Sequence, residues 1–287
     1  MTANSKLIVI LGPTGVGKTQ YALSLAEHYG CPIINADSRQ IYRDIAIGTA
    51  APTAAELARV KHYFVHTLPL DQYYSAAQFE SDVLRLLPTL FPVHPVVVMS
   101  GGSMMYIDAV TKGIDDIPTI EAAVRDELQN RFLAQGITPL QQELRLLDPT
   151  YYAEVDQKNH KRIIHALEIC YQTGRPYSSF RQNTHKPRPF QIEKIGLRRS
   201  REDLFSRINQ RVDHMMQQGF LDEARRVYPQ RHLNSLNTVG YKELFKVISG
   251  EWELPMAVER IKKNTRVYAK KQMLWFSKDP EIKWIDL

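Results

Sequence analysis

The sequence predicts an α/β protein: a doubly wound parallel sheet core carrying a helical insertion domain and a helical C-terminal region. Three observations lead there. Residues 6–11 (Lys-Leu-Ile-Val-Ile-Leu) form an unbroken apolar run, as expected of a parallel strand buried on both faces. Apolar runs then alternate with turns and helical patterns, the rhythm of a parallel sheet. From about Lys112 the texture changes to amphipathic helices with no strand between them.

In order along the chain, residues 6–11 give the first strand. A glycine-rich turn follows, then a helix from Lys18 to about Tyr29, stopped by Gly30. Residues 32–36 give a second strand, ending at Asp37. Tyr63 to Leu68 reads as a third, and residues 75–87 as a helix. Residues 95–99 form another buried strand, closed by Ser100-Gly101-Gly102. Residues 119–135, 138–147 and 158–173 read as amphipathic helices, and 192–197 returns to strand character. Helices are expected near 200–218, 220–228, 240–249 and 253–278, with a short terminal strand at 282–285. The domain reading is a first part of the core at 1–112, a helical insertion at 113–195, and the rest of the core with C-terminal helices at 196–287.

The bulk composition is ordinary for a globular chain of 287 residues: 44% hydrophobic and 24% charged. The apolar runs are far below the ~20 residues that span a bilayer, and the polar start of the chain has no signal-peptide core. No membrane partner and a cytoplasmic location are expected. Cys31 and Cys170 have no metal-ligand spacing and read as buried or free thiols. The net charge of +6 is weak evidence for a polyanionic partner.

Gly12-Pro13-Thr14-Gly15-Val16-Gly17-Lys18-Thr19 matches G-x-x-x-x-G-K-[ST] between a strand and a helix. This is the P-loop pattern, so the core is expected to be a P-loop core. The glycines let backbone N–H groups converge on phosphate oxygens, and the helix N-terminus adds positive potential. Lys18 can neutralise a terminal phosphate, and Thr19 can ligate Mg²⁺. P-loop enzymes that hydrolyse nucleotides usually place an acid at the end of a later strand. Here that strand ends in Ser100-Gly101-Gly102, and the nearest acid is Asp108. The carboxylate is instead Asp37, at the C-terminal end of the second strand, where open parallel sheets put functional groups. Position alone leaves it open as a general base, a Mg²⁺ holder or a helix cap.

Ten Lys or Arg fall between Lys158 and Arg199, opposed only by Glu168 and Glu193, with Tyr171, Tyr177, Phe180 and Phe190 among them. The last helix adds Arg260, Lys262, Lys263, Arg266, Lys270 and Lys271, with Tyr268 and Trp275. Cations suit phosphates and flat rings suit unstacked bases, so RNA is one reading. Solvated helix faces and core aromatics are the other. Arg207 and Arg211, four residues apart, share a helix face.

Read together, the blocks resemble the tRNA dimethylallyltransferase (isopentenyltransferase) family. They are residues 12–19, Asn35 through Tyr42, Ile47-Gly48-Thr49-Ala50, Tyr74-Ser75-Ala76, Gly101 through Tyr106, Asp148-Pro149, Lys161-Arg162, Ala166-Leu167-Glu168 and Thr173-Gly174. Val239 through Leu244 and Thr265 through Gln272 complete the set. The likeness runs in order over essentially the whole chain.

It implies transfer of the prenyl group of dimethylallyl diphosphate to N6 of the adenine 3′ of the anticodon (position 37) of tRNA. Residues Gly12, Pro13, Thr14, Gly15, Val16, Gly17, Lys18 and Thr19 would hold the diphosphate with Mg²⁺, the metal touching Thr19. Ser103 and Arg211 would assist, Arg207 would clamp, and Asp37 would take the amine proton. The resemblance further implies that Asp37, Ser38, Arg39, Gln40, Lys158, Lys161, Arg162, His165, Arg266, Lys270 and Lys271 meet the anticodon stem-loop. Ser103, His165, Lys271 and Leu274 depart from the family's usual Thr, Arg, Arg and Thr. A monomer is expected. Two competing functions are a P-loop small-molecule or nucleotide kinase and a non-catalytic RNA-binding protein.

Overall fold

The computed structural model describes residues 5–118, 120–182 and 185–287. The polar start of the chain and the first residue of the helix expected at 119–135 therefore lie largely outside the described residues. The chain divides into two compact units, Met1–Thr111 with Pro187–Leu287, and Lys112–Lys186.

The first unit is built on six parallel strands in the order β3-β2-β4-β1-β5-β6. These are β1 (Lys6–Leu11), β2 (Ile33–Asn35), β3 (His62–Tyr63), β4 (Val96–Gly101), β5 (Gln191–Arg198) and β6 (Ile282–Asp286). The central strand explains why the sheet is covered on both sides. Leu7, Val9 and Leu11 of β1 enter one apolar cluster with Phe79, Val97 and Met99. Ile8 and Ile10 enter another with Val16, Leu23 and Ile208. Alternation at period two sends each set to its own face.

Its helices are α1 (Lys18–Tyr29), α2 (Ala54–Arg59), α3 (Ala76–Leu90) and α4 (Met104–Lys112). The second unit supplies α5 (Ala122–Gln135), α6 (Thr138–Leu147), α7 (Pro149–Glu154) and α8 (His160–Thr173). The first unit resumes with α9 (Arg201–Gln217), α10 (Phe220–Val227), α11 (Tyr241–Ile248) and α12 (Leu254–Phe276). No helix among the described residues is long and apolar enough to cross a membrane.

Two expectations are corrected. The strand expected at Tyr63 to Leu68 is reduced to His62–Tyr63 and an isolated bridge from Leu68 to Tyr42. Phe64 and His66 adopt left-handed backbone angles (φ 63° and 52°), which breaks the extended run. The helical insertion stops at Lys186, not 195, because residues 191–198 form β5 beside β1.

The second unit has its own core. Leu128, Leu140, Leu144, Tyr151, Ile163 and Leu167 are buried together. Asp148, wholly buried, caps α7 through Tyr151 N (3.0 Å) and accepts from Ser178 N (2.6 Å) and Ser178 Oγ (2.7 Å). A buried carboxylate with three donors holds the loop that follows α8 onto α7.

Candidate active site

Strand β1 ends at Leu11, and the turn 12–17 runs into α1 at Lys18. Gly12, Gly15 and Gly17 all have positive φ (145°, 84° and 113°). A side chain at Gly12 would meet the Leu197 carbonyl at 2.6 Å, so the turn is also pressed against β5. Helix α1 has no side-chain cap and no acid in its first turn, so its first N–H groups are left for another acceptor.

Side chains from distant elements tie the turn down. Arg199 Nε donates to Val16 O (2.8 Å) and Arg207 Nε to Gly15 O (2.9 Å). Arg211 Nη1 lies 3.4 Å from Thr14 Oγ1. The buried Gln272 of α12 accepts from Thr14 N (2.8 Å) and donates to Gly102 O (2.7 Å). Lys18 Nζ donates to Gly12 O and Pro13 O, both at 2.9 Å. The carboxylate of Asp203, one turn before Arg207, is taken by Arg199 (2.9 Å).

These groups open on a cavity of about 500 Å³, lined by Thr14, Gly15, Gly17, Lys18, Thr19, Asp37, Gln40, Arg207, Arg211, Tyr268 and others. Its electrostatics are cationic. Removal from water first, and the Arg211 guanidinium second, lower Lys18 to about 7 against the opposing pull of Asp37. Arg211 is itself lowered by burial, with Asp37 again opposing and Arg207 adding to the fall.

A second cavity, about 320 Å³, is lined by Ile208, Val212, Met215, Phe220, Val239 and Ile261 on its apolar side, with Ser38, Arg39 and Ser103 among its polar walls. Thr14, Asp37, Thr49, Arg211 and Tyr268 line both cavities. Asp37 therefore stands where a cationic space meets an apolar one. Its Oδ1 accepts from Arg39 N (2.9 Å) and Gln40 N (3.3 Å), which closes the turn after β2; this is not a helix cap, because the next helix is α2 at Ala54. Tyr268 is pushed up to about 12 by its protein surroundings first and by the Asp37 carboxylate second.

The other expected residues are placed as follows. Ser103 Oγ accepts from Ser38 N (2.8 Å) and lies 3.1 Å from Ser38 Oγ, bracing the turn after Asp37. Arg39 Nη1 reaches Asn234 O (3.0 Å), and Gln40 Nε2 reaches Thr49 O and Ala50 O (both 3.0 Å). Arg266 bonds Asn209 Oδ1 (2.5 Å), and both Arg266 and Lys270 stand over the Phe205 ring; Lys271 is exposed. In the second unit Lys161 and His165 are exposed on α8, with Lys158 and Arg162 at its start. His165 Nδ1 lies 3.4 Å from Glu168 Oε2. Phe190 is buried in the sheet core, and Tyr177 packs edge-on against Tyr151, so these two aromatics serve packing.

Sequence reasoning passes over three residues. Gln272 closes the block that begins at Thr265, with no signal of its own. Glu223 is buried and accepts from Ile47 N (2.8 Å), Gly48 N (2.8 Å) and Tyr241 Oη (2.5 Å). It thereby fixes the loop that carries Thr49, and Tyr241, the third, is its buried partner.

Thr19 and Asp37 line the same cavity, and no cluster of three or more His, Cys, Asp or Glu able to hold a metal occurs among the described residues. That donor set fits Mg²⁺, which keeps waters and shares phosphate oxygens with one or two protein groups.

Similarity to known proteins identifies the family. The chain is 62% identical over 280 residues to tRNA dimethylallyltransferase 2 of Parabacteroides distasonis, covering 98% of this chain and 94% of that one. It is 62% identical over 278 residues to tRNA dimethylallyltransferase 1 of Phocaeicola vulgatus, covering 97% and 93%. The crystal structure of the full-length tRNA isopentenylpyrophosphate transferase from Bacillus halodurans superposes with a TM-score of 0.71 at 33% identity, covering 98% and 90%. The IPP transferase model matches residues 40–279, which begins after the glycine turn and spans the Asp37-side loop, the second unit and α12. On that match and those identities, the chain belongs to the IPP transferase family.

Proposed function

We propose that the chain is a tRNA dimethylallyltransferase that moves the dimethylallyl group of dimethylallyl diphosphate to N6 of the adenine 3′ of the anticodon (position 37), releasing diphosphate. The observation that carries this reading is the position of Asp37 on the wall shared by the two cavities. A carboxylate at the junction of an anion site and an apolar site can take the proton of an amine that attacks a diphosphate ester held between them.

The diphosphate lies over the glycine turn, met by α1 N–H groups, Lys18, Arg207 and Arg211. Thr19, with Asp37 nearby, would hold Mg²⁺, which supplies charge neutralisation of the leaving group. The five-carbon tail enters the apolar cavity. The C1–O bond to diphosphate breaks as the bond from N6 to C1 forms. The amine becomes cationic and acidic in that step, and Asp37 takes its proton. Ser38, Arg39 and Gln40 border the same junction and would face the extruded adenine, while Ser103 braces Ser38.

RNA phosphates would be met by Lys158, Lys161, Arg162 and His165 of the second unit and by Lys271 of α12. Arg266 and Lys270 would be aimed by Phe205. Such contacts make affinity depend on salt. We infer a monomeric enzyme of the cytoplasm.

The test is direct. Protein, dimethylallyl diphosphate, Mg²⁺ and an unmodified anticodon stem-loop are incubated, and the RNA is examined by mass spectrometry. Gain of one dimethylallyl group on that adenine is expected. Phosphoryl transfer from ATP to a small acceptor, with no prenylated RNA, would favour the kinase reading. RNA binding with neither reaction would favour a non-catalytic binder.

A further inference from the structure

The Phe220 ring stands on the apolar wall of the second cavity and is tightly packed behind it. Phe220 opens α10 and is wholly buried. Its ring lies against two glycines. A Cβ on Gly48 would overlap the ring, and one on Gly240 would come within 2.6 Å of it. The ring also meets Tyr241 edge-on, at 5.1 Å between centroids and 81° between planes. Tyr241 is itself locked, because its hydroxyl donates to Glu223, which also accepts from Ile47 N and Gly48 N. These neighbours of the ring are thus either backbone or a hydrogen-bonded buried side chain.

The cavity also has a polar wall. Thr14, Asp37, Ser38 and Arg39 are only partly buried there, whereas Ile208, Val212, Phe220 and Ile261 are almost fully so. The space of about 320 Å³ thus has Thr14, Asp37, Ser38 and Arg39 on its polar wall and Ile208, Val212, Phe220 and Ile261 on its apolar wall, with Asn237, Thr238 and the exposed Lys242 also lining it. Packed interiors resist an added methylene, and a rigid wall turns that resistance into size selection.

We propose that Phe220 sets the length of the prenyl chain the site accepts, admitting a five-carbon tail and turning away a ten-carbon one. The inference rests on the placement of the donor tail in this cavity, given under Proposed function. Extra carbon atoms beyond the five-carbon tail run into the ring, whose edge is held against Gly48, Gly240 and Tyr241. Shortening residue 220 enlarges the cavity on its apolar side and leaves Lys18, Asp37 and Arg211 in place.

The experiment compares wild type, Phe220→Leu and Phe220→Ala with dimethylallyl and geranyl diphosphate, using the same anticodon stem-loop. Thermal melts accompany the kinetics, because Phe220→Ala removes a core ring and Phe220→Leu is the milder change. The expected result is a ratio of kcat/KM, geranyl over dimethylallyl, that rises at least about tenfold in Phe220→Leu and further in any folded Phe220→Ala. A purely structural role would lower both substrates together and leave the ratio unchanged. An unchanged ratio in a folded Phe220→Leu that still transfers dimethylallyl overturns the assignment, as does a wild type that uses both donors equally. A wild type that transfers no prenyl group to RNA overturns the functional reading itself, which separates the two failures.

Discussion

The Thr14 N–H donates to Gln272 Oε1 at 2.8 Å, joining the glycine turn to a helix 258 positions further along the chain. The same amide donates through Nε2 to Gly102 O at 2.7 Å, so one buried side chain fixes the turn and the end of β4 together. Replacing it strands two polar backbone groups, each costing roughly 1–3 kcal/mol. Gln272→Leu is expected to lower the melting temperature and to weaken dimethylallyl diphosphate binding. Gln272→Glu keeps the acceptor for Thr14, loses the donor for Gly102 and adds negative charge beside the diphosphate site. It is expected to bind diphosphate at least about tenfold more weakly, and calorimetry with inorganic diphosphate checks both variants. Binding within twofold of wild type in both would remove Gln272 from the site.

Lys18 couples donor binding to protons. Its ammonium titrates near 7 in the free protein, lowered first by loss of water and then by Arg211. A bound diphosphate raises it again. Between about pH 7 and the ordinary lysine range, binding must therefore take up a proton, seen as a buffer-dependent heat at pH 8. The sign for stability is the converse. The unfolded chain holds this proton more tightly than the native one, so the group's contribution to stability rises with pH above about 7. Lys18→Met is expected to abolish the proton uptake and to reduce kcat by about a hundredfold or more. Proton uptake that persists in the variant would assign the linkage elsewhere.

Glu223 is a positioning residue for the wall of both cavities, since Thr49 hangs on the loop whose N–H groups it accepts. Glu223→Gln presents an amide to three donors, one of which must lose its acceptor. A loss of roughly 1–3 kcal/mol in unfolding free energy is expected, read from urea midpoints. Tyr241→Phe removes one of the three bonds and is expected to cost less. Midpoints unchanged in both variants would mean that the loop is held by its other bonds, from Gln40, Thr49 and Arg211.

The basic start of α8 makes a separate claim on RNA. Neutralising Lys158, Lys161 and Arg162 together is expected to reduce the log–log dependence of RNA affinity on salt by about 0.7 for each phosphate that the protein no longer neutralises. Filter binding from low to moderate salt measures the slope. The same slope in wild type and the triple variant would mean that these cations face away from the RNA.

Much of the fold is readable from the chain where local chemistry is unambiguous. The apolar run 6–11 and the glycine spacing at 12–17 dictate strand, turn and helix with little help from elsewhere. Asp37 stands out because it ends a strand, but its dual setting does not, since the cavities around it are lined by distant residues. The third strand breaks at Phe64 and His66, whose left-handed angles carry no glycine to announce them. The insertion looks longer than it is because β5 contains Glu193 and Lys194 and so reads as half exposed. Lys194 is in fact buried, paired with Asp279 Oδ2 (2.9 Å) and Glu281 Oε2 (2.7 Å) from around β6. Glu223 and Tyr241 meet by tertiary packing alone, which no periodicity records.

The central claim is that Asp37 takes the proton of the attacking amine, and one comparison tests it most directly. Single-turnover prenyl transfer and dimethylallyl diphosphate affinity are measured for wild type and Asp37→Asn across a Mg²⁺ titration. The asparagine keeps an Oδ1 acceptor for Arg39 N and Gln40 N, so the turn is preserved. A fall of about 10²–10⁴ in the single-turnover rate, with donor affinity nearly retained and no rescue by Mg²⁺, is the expected result. Loss of donor affinity that added Mg²⁺ restores would make Asp37 a metal holder instead. An unchanged rate would contradict the claim outright and leave the carboxylate as a support of its turn.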